Sequence, residues 1–286
     1  MYIEHINEVI MGIGINSSAL AFVQQHGKLT PALNKSIEKI STGLRIPNAS
    51  ADPAGLAVSK MMEAENVSFQ QALRNTNDGI SMVQTAEGTV DQAGQLLSRM
   101  RELSVQSSNG TYNDEDRGIM NEEFTQLKDE FDRISSNANF NGIDLFNDPS
   151  ASPVNFQVGG DSNPGSQVGL DIGSLAMSST DLGFNSAGIS SQGGAESAIG
   201  SIDSAIEALQ ERRSTLGATQ NRLDVAFSEA TTYSENLSAS SSQITDLDYA
   251  LEASTNSQFL LRQKALLAAQ SQAKSMSQSA VSLLSK

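Results

Sequence analysis

The sequence of 286 residues contains no cysteine and no tryptophan, and its only histidines are His5 and His26. Without cysteine the chain can form neither a disulfide nor a thiolate metal site, which suits a protein that works outside the cell without covalent cross-links. Two isolated histidines, with no HExxH motif or other clustered ligand set, do not predict a metal site. We therefore expect no metal-dependent chemistry.

Motifs of known enzyme classes are incomplete. Gly12-Ile13-Gly14 begins a GxGxxG pattern, but Ser17 occupies the position of the third glycine and no strand precedes it. Residues 36–39 match the SxxK motif, yet neither SDN nor KTG occurs in the chain, and these residues lie on a predicted amphipathic helix. The sequence predicts no catalytic residue and no cofactor, so we expect the protein not to be an enzyme.

Basic charge is scarce, with 18 Lys and Arg against 33 Asp and Glu and a net charge of −15. A chain this acidic is not expected to bind nucleic acid or an anionic membrane surface. The acid lies in the middle, because residues 253–286 hold four basic residues and no acid, and residues 11–47 hold four and one. These acid-poor ends could pair with each other while the middle faces water.

Long apolar runs are also lacking. The longest uncharged run, residues 9–27, contains Asn, Ser, Gln and His and is too polar to span a membrane. Residues 1–10 include Glu4 and Glu8 but no Lys or Arg, and no clear cleavage site follows, so a secretory signal peptide is not expected. If the protein leaves the cell, a route without a cleaved signal is implied.

No proline follows Pro164, so no proline interrupts a helix from about Ser197 to the C-terminus. Within this segment apolar residues recur at a period of seven, which predicts the seam of a coiled coil. The interleaved positions are largely polar, so the helix needs other helices beside it; they are Ile206, Arg213, Gln220, Phe227, Ser234, Ser241 and Asp248. The seam residues are Ile202, Leu209, Leu216, Leu223, Ala230, Leu237, Ile244 and Leu251.

Three earlier helices and a small β region are predicted. The first is interrupted at residues 27–31, where Thr30 and Pro31 carry a new start signal, and it ends near Gly43. Asp52-Pro53 starts a second helix that runs to about Ser108, and a third covers about 115–138. Alternating apolar residues between 143 and 184 predict one or two β-hairpins, followed by a Ser/Gly linker.

Ordered motifs along nearly the whole chain from Met11 resemble bacterial flagellin. Together they are too numerous and too well ordered to arise by chance. They are MGIGIN (11–16), LNKSIEKISTGLRI (33–46), ADPAGLA (51–57), RNTNDGIS (74–81), QTAEG (84–88), RELSVQ (101–106), LGATQNRL (216–223) and ITDLDYA (244–250).

The resemblance implies a mainly α fold, a long antiparallel helical bundle with a small β-hairpin tip. Residues 11–50 and 246–286 would form an inner coiled-coil domain that lines a secretion channel. Residues 51–245 would form an outer α-helical rod, with the β region at about 140–184. Large variable outer domains would be absent, because the middle of the chain is short.

The resemblance also implies the partners. The chain would be the subunit of a helical homopolymer, the flagellar filament used for motility. It would be exported by the flagellar type III apparatus, with a chaperone on the C-terminal segment, and would meet the hook-associated junction and cap proteins. Two alternatives remain at this point, the hook–filament junction protein itself and a secreted enzyme.

Three positions depart from the family pattern. Residues 1–10 have no counterpart, so either Met11 is the true start, which we expect, or they form an N-terminal extension. Pro31 lies where the family has an uninterrupted helix. Gln243 replaces a common Arg before Ile244, which weakens any claim of a specific contact there.

A receptor surface is implied by three further positions. In flagellins that the flagellin-sensing toll-like receptor recognises, an Arg, a Leu and a Glu on the outer rod carry the contact. The matching residues are Arg99, Leu103 and Glu123. We expect them to form a receptor-like or inter-subunit surface, the second because this region also packs neighbouring subunits.

Overall fold

The computed structural model describes the backbone of residues 2–284 and the side chains of residues 20–276, 278 and 279. Helices and two small antiparallel hairpins follow one another along the chain. The helices are α1 (Tyr2–Thr42), α2 (Pro53–Ser108), α3 (Asp114–Asn137), α4 (Gln192–Thr245) and α5 (Tyr249–Leu284). The strands are β1 (Asn139–Phe140), β2 (Ile143–Asp144), β3 (Val154–Gln157) and β4 (Gln167–Leu170). The predicted fold class is confirmed.

The chain folds into two compact units. The terminal unit combines Met1–Glu63 with Ser238–Lys286, and the central unit is Ala64–Leu237. Within the terminal unit α1 and α5 pack along each other, which confirms the predicted pairing of the two ends. In the part of the chain that the structure describes, no helix is both long and apolar enough to cross a membrane.

Helix α1 continues through Pro31, so the predicted interruption at residues 27–31 is wrong. Pro31 lacks the N–H that would bond to the carbonyl of Gly27, which costs one hydrogen bond of the helical ladder. The hydroxyl of Thr30, which could have capped a new helix, donates instead to the carbonyl of His26 at 3.0 Å. Packing against α5 supports this turn from outside. Residues 2–10, which have no counterpart in the family pattern, also lie in α1, but their side chains are outside the described residues.

Helices α2 and α3 begin and end where the sequence predicts. Asp52 caps α2, because its Oδ1 accepts the amide of Gly55 at 3.0 Å, and Asn113 caps α3 through the amide of Asp116 at 2.8 Å. The short turn between the helices is fixed from inside by Arg117. Its buried guanidinium donates to the carbonyls of Asn109 and Tyr112 at 3.0 and 3.2 Å.

The core of the central unit lies among α2, α3, α4 and the segment between β4 and α4. The predicted apolar stripe of α2 is buried from Ala72 to Ser104, and Phe124 and Phe131 of α3 are fully buried. Phe131 meets Phe184 edge to face, with ring centroids 5.1 Å apart. This core therefore combines helix faces that can be predicted from periodicity with loop residues, such as Phe184, that cannot.

The predicted unbroken C-terminal helix is wrong, since residues 246–248 separate α4 from α5. At this point the amide of Leu247 donates to the carbonyl of Gly43 at 3.1 Å instead of continuing the helical ladder. Asp248 then caps α5 by accepting the amide of Leu251 at 3.0 Å. An Asx cap and a contact with a distant segment thus end the helix without proline.

Two hairpins form the β region, and the second, β3–β4, is the predicted one, whereas the first, β1–β2, lies where the sequence predicted only the end of α3. In the first, Asn141 and Gly142 link β1 to β2 with φ of 51° and 80°, the left-handed conformation that a two-residue hairpin turn requires. In the second, β3 pairs with β4 in the register Val154 with Leu170. The strands stop before Val158 and Ile172, which the alternation had included.

Candidate interaction surfaces

The described side chains include no cluster of three or more His, Asp or Glu that could hold a metal ion. What the helices do present is apolar surface, and it concentrates in the terminal unit. Its buried apolar side chains are Leu33 of α1 and Ile46 of the following loop. By contrast, large apolar side chains are exposed along both helices: Leu20, Val23, Ile37, Leu251, Leu260, Leu261, Leu267 and Met276. Two helices cannot bury such stripes against each other alone.

A groove of about 770 Å³ runs between α1 and α5 in the terminal unit. Apolar side chains such as Leu29, Phe259 and Leu266 line it, and Lys28 and Arg262 are its only charged lining residues. The acid-poor composition of both chain ends therefore appears here as a local surface that is apolar and basic.

Few polar contacts join α1 to α5 among the described residues. Lys39 Nζ lies 3.5 Å from Glu252 Oε2, and the Asn256 amide donates to the buried hydroxyl of Ser36 at 3.4 Å. Both distances are long for strong bonds. The pairing of the two helices in one chain is thus weakly specified along most of its length.

The residues of the predicted seam divide between the two units. Ile202, Leu209, Leu216, Leu223 and Ala230 are buried in the central unit. Leu237 and Ile244 are half-buried, and Leu251 in α5 is 66% exposed. The structure therefore brings the first four together in one core, with Ala230 buried outside that cluster, and leaves Leu251 at the surface of α5, which is a separate helix.

Arg99 and Glu123 meet on the surface of the central unit. The Arg99 guanidinium donates to Glu123 Oε1 from Nε at 3.0 Å and from Nη2 at 2.8 Å, and Nη1 donates to Glu102 at 3.0 Å. These bonds, above all those to Glu123, raise the pKa of Arg99. Both side chains remain about half exposed, so the pair is available to a partner.

Leu103 does not lie on this surface, and that part of the prediction is corrected. Its side chain is only 2% exposed and belongs to the core that also contains Met120 and Phe124. Two apolar side chains near these positions in the sequence are exposed, namely Val105 on α2, 47% exposed, and Ile119, one turn before Glu123 on α3 and 66% exposed. No motif pointed to Ile119, and only its outward phase on α3 could have revealed it.

Sequence reasoning also missed the contacts made by charged side chains across elements. Arg101 on α2 donates to Asp203 on α4 at 2.6 Å, and this bond lowers the pKa of Asp203. In the terminal unit, Arg45 and Tyr249 bond to the backbone of distant helix ends. Such pairs depend on the tertiary arrangement and leave no mark on local periodicity.

Comparison with known proteins gives consistent matches. The family model of the bacterial flagellin N-terminal helical region matches residues 13–151, and that of the C-terminal helical region matches residues 199–284. A flagellin of Halalkalibacterium halodurans is 43% identical over 218 residues, 76% of this chain and 79% of that protein. A 30.7 kDa flagellar filament core protein of Treponema maltophilum is 35% identical over 287 residues, 96% of this chain and all of that protein.

Among solved structures, a Vibrio parahaemolyticus protein assigned as flagellar hook-associated superposes with a TM-score of 0.56. It covers 68% of this chain and 100% of its own at 15% identity. At this identity the likeness shows the fold alone.

Long helices whose paired ends lack a core of their own define a structural protein that assembles with further copies. The chain belongs to the bacterial flagellin family. It is a structural subunit of the flagellar filament, a self-assembled polymer, and it is not an enzyme. The junction-protein alternative is not favoured, because relatives with 35–43% identity over most of the chain are flagellins and filament core proteins.

Proposed function

We propose that α1 and α5 are the surfaces through which copies of this chain pack in the filament, and that the central unit forms its outer part. In this proposal residues 11–50 and 246–286 are the inner domain and residues 51–245 the outer one. The observation that carries it is the imbalance of burial, since the terminal unit exposes large apolar side chains on both helices and buries almost none.

The composition of α5 supports an inner location. After Glu252 the chain has eight Ser and five Gln but no acid, so one face of α5 can meet water in a channel while another packs on neighbouring copies. The basic apolar groove between α1 and α5 would then be covered by another copy. Apolar stripes of this kind order fully only when their partners are present.

Assembly can be tested with a matched pair of substitutions. Leu261 in α5 and Val225 in the central unit are both 66% exposed, so neither replacement by Asn should change the folding of the single chain. Leu261→Asn is expected to raise the critical concentration of filament growth from seeds at least about tenfold, because it removes about 1.5–3 kcal/mol of apolar burial. Val225→Asn is the control and should have a smaller effect.

Hydrogen exchange provides the complementary measurement. Apart from the last turn of α1 and the first turn of α5, the amides of these two helices are expected to exchange rapidly in the single chain and slowly in the filament, while the core helices of the central unit are protected in both. Equal critical concentrations for Leu261→Asn and the parent chain, or protection of residues 253–276 before assembly, would contradict the proposal.

A second proposal concerns recognition by the flagellin-sensing toll-like receptor, which the Arg99–Glu123 pair supports. The pair is exposed, and two guanidinium nitrogens of Arg99 donate to one carboxylate oxygen of Glu123, which leaves the other Glu123 oxygen free to accept bonds.

Arg99→Ala with Glu123→Ala is expected to reduce receptor signalling at least tenfold, measured in a reporter cell line with purified monomer. The control is Arg133→Ala with Glu130→Ala, another exposed ion pair on α3. Signalling of the Arg99 and Glu123 double variant at the parent level would refute this role.

The proposed role as a filament subunit also implies further partners, which we infer from membership of the flagellin family. They are the type III export apparatus, a chaperone on the C-terminal segment, and the hook-associated junction and cap proteins. The exposed apolar stripe of α5 is the feature that a chaperone would cover before export.

A further inference from the structure

A short stretch after α1 and the junction of α4 and α5 are joined in the terminal unit by a two-stranded contact. Leu44 and Asp246 form an isolated antiparallel bridge. The amide of Arg45 donates to the carbonyl of Thr245 at 2.7 Å, and the amide of Leu247 donates to that of Gly43 at 3.1 Å. We refer to residues 43–45 and 244–249 with these bonds as the clasp.

Arg45 forms hydrogen bonds with most of the free carbonyl groups at the C-terminal end of α4. The last four carbonyls of a helix have no partner within it. In α4 three of these four are bonded by Arg45, whose guanidinium donates to Ile244 O at 2.6 and 3.1 Å and to Gln243 O at 3.3 Å, and whose amide bonds Thr245 O. The positive charge also opposes the negative end of the helix dipole. Gln243 takes part through its backbone, so its departure from the family pattern does not remove this contact.

Tyr249 caps the other helix in return. Its hydroxyl, at the first residue of α5, donates to Ile40 O in the last turn of α1 at 2.9 Å. Gly43 favours this approach, because a Cβ there would make a tight contact of 3.2 Å with the Tyr249 hydroxyl oxygen. Gly43 also has φ of +72° and ends α1 through its amide bond to Lys39 O at 2.8 Å. Arg45, which follows α1, thus caps the end of α4. Tyr249, the first residue of α5, caps the end of α1.

The position of the clasp gives these bonds a consequence beyond local capping. Farther from the clasp, α1 and α5 face each other mainly through apolar side chains such as Leu29, Phe259 and Leu266. This packing is non-directional and does not by itself fix how far one helix is shifted along the other. The clasp fixes the last turn of α1 beside the first turn of α5. Lys39 and Glu252, within a turn of it on either side, form the ion pair whose side chains are 22% and 14% exposed.

We propose that Arg45 and Tyr249 are positioning residues for assembly, because the clasp sets the register in which α1 and α5 enter the filament as one unit. This inference rests on the proposed packing role of those helices. Without the clasp the chain must find the register during docking, and the binding-competent arrangement is populated in only a fraction of the chains. The apparent affinity for the filament end falls by that fraction.

The test uses the full chain with two conservative changes, made singly and together. Tyr249→Phe removes only the hydroxyl bond to Ile40, and Arg45→Gln removes the fork at the end of α4. Tyr233→Phe and Arg74→Gln, exposed residues of the central unit, are the matched controls. Each clasp variant is expected to raise the critical concentration of seeded growth about threefold and the pair about tenfold. The controls should stay within about twofold, and the thermal unfolding of the central unit should not change.

A reversible cross-link separates register from simple loss of stability. The parent chain has no cysteine, and Leu44 and Asp246 face each other at a position without mutual hydrogen bonds, where Cα atoms of antiparallel strands lie about 4.5 Å apart. That spacing is compatible with a disulfide. When Leu44→Cys and Asp246→Cys are added to the Arg45 and Tyr249 double variant, oxidation is expected to restore growth to within about twofold of the parent, and reduction to abolish the rescue.

Two results would overturn the proposal. One is a double variant that grows as the parent does, and the other is an oxidised cross-link that forms but does not restore growth. Failure of the underlying packing proposal looks different, since α1 and α5 of the parent chain would then remain unprotected from exchange in its own filaments. If those helices are protected and the double variant is unimpaired, the clasp alone is refuted.

Discussion

Arg99 and Leu103 stand one helical turn apart on α2, yet they meet different surroundings. The Arg99 guanidinium reaches across to Glu123 at 2.8 Å and stays in water, whereas Leu103 is enclosed by the core of the central unit. A motif that matches both residues therefore mixes a surface contact with a packing contact. Loss of signalling in a Leu103 variant could follow from damage to the fold.

This difference predicts two distinct stability effects. Leu103→Ala is expected to lower the free energy of unfolding by about 2–5 kcal/mol, because it leaves a cavity in a closely packed core. Arg99→Ala should lower it far less, since exposed ion pairs contribute little. Urea denaturation followed by circular dichroism measures both, with Ile119→Ala as the control for an exposed apolar residue. A Leu103→Ala chain as stable as the parent would show that Leu103 packs less tightly than its burial indicates.

At the scale of elements, the segment from 173 to 191 packs on the central helices without regular structure of its own beyond the 3-10 helix Gly173–Leu175. Side chains of the helices bind its backbone. Asp132 accepts the Ser179 amide and hydroxyl, both at 2.7 Å, and Asn121 accepts the Ile189 amide at 2.8 Å. Arg212, half-buried on α4, donates to Ala176 O at 2.7 and 3.0 Å, and its burial lowers its pKa. These bonds hold Phe184 and Ile189 in the core.

Removal of one such bond tests how firmly the segment is held. Asp132→Ala is expected to lower the free energy of unfolding by about 1–3 kcal/mol, because the Ser179 amide and hydroxyl lose their acceptor. Exchange of the amides around Ser179 should accelerate before global unfolding. Asp129→Ala, which removes an exposed carboxylate from the same helix, is the matched control and should leave both measurements unchanged. Equal exchange in the two variants would mean that Phe184 and Ile189 hold the segment without this bond.

Among the elements, sequence reasoning located the helix ends that nearby residues determine but not those that distant residues determine. Caps and turn residues placed the starts of α2 and α3 correctly, because Asp52 and Asn113 act on amides within three residues. The end of α4 was missed, because it is set by Gly43 and Arg45 about two hundred residues away in the chain. Pro31 misled for a related reason, since packing against α5 sustains a helix that local propensity would end.

At the scale of the candidate surfaces, periodicity identified which helix faces are apolar but not which of them the chain covers itself. The seam residues keep the same seven-residue period from Ile202 to Leu251, yet Leu223 is buried and Leu251 is exposed. The receptor-like positions came from resemblance, which supplied residue types without their burial. The clasp depends on a contact between the two ends of the chain and could not be read from either end alone.

Across the whole molecule, burial follows the division into units. The central unit contains all the fully buried aromatic side chains among the described residues, namely Phe124, Phe131, Phe146 and Phe184. The terminal unit buries little and carries the acid-poor segments. This distribution implies that the acidic central unit can be stable by itself, whereas the ends need other copies to cover their apolar surface.

This division predicts that the central unit folds alone. A chain of residues 64–237 is expected to unfold in one cooperative transition, with a free energy of unfolding within about 1 kcal/mol of that of the full chain, since the core residues are all retained. Urea denaturation followed by circular dichroism and by near-ultraviolet tyrosine signals should give coincident curves. The matched comparison is residues 52–248, which keeps Asp52, the N-cap of α2, and all of α4. If the shorter chain is unfolded and the longer one is stable, residues outside the central unit contribute to its core, and assembly must then depend on a subunit that is cooperative from end to end.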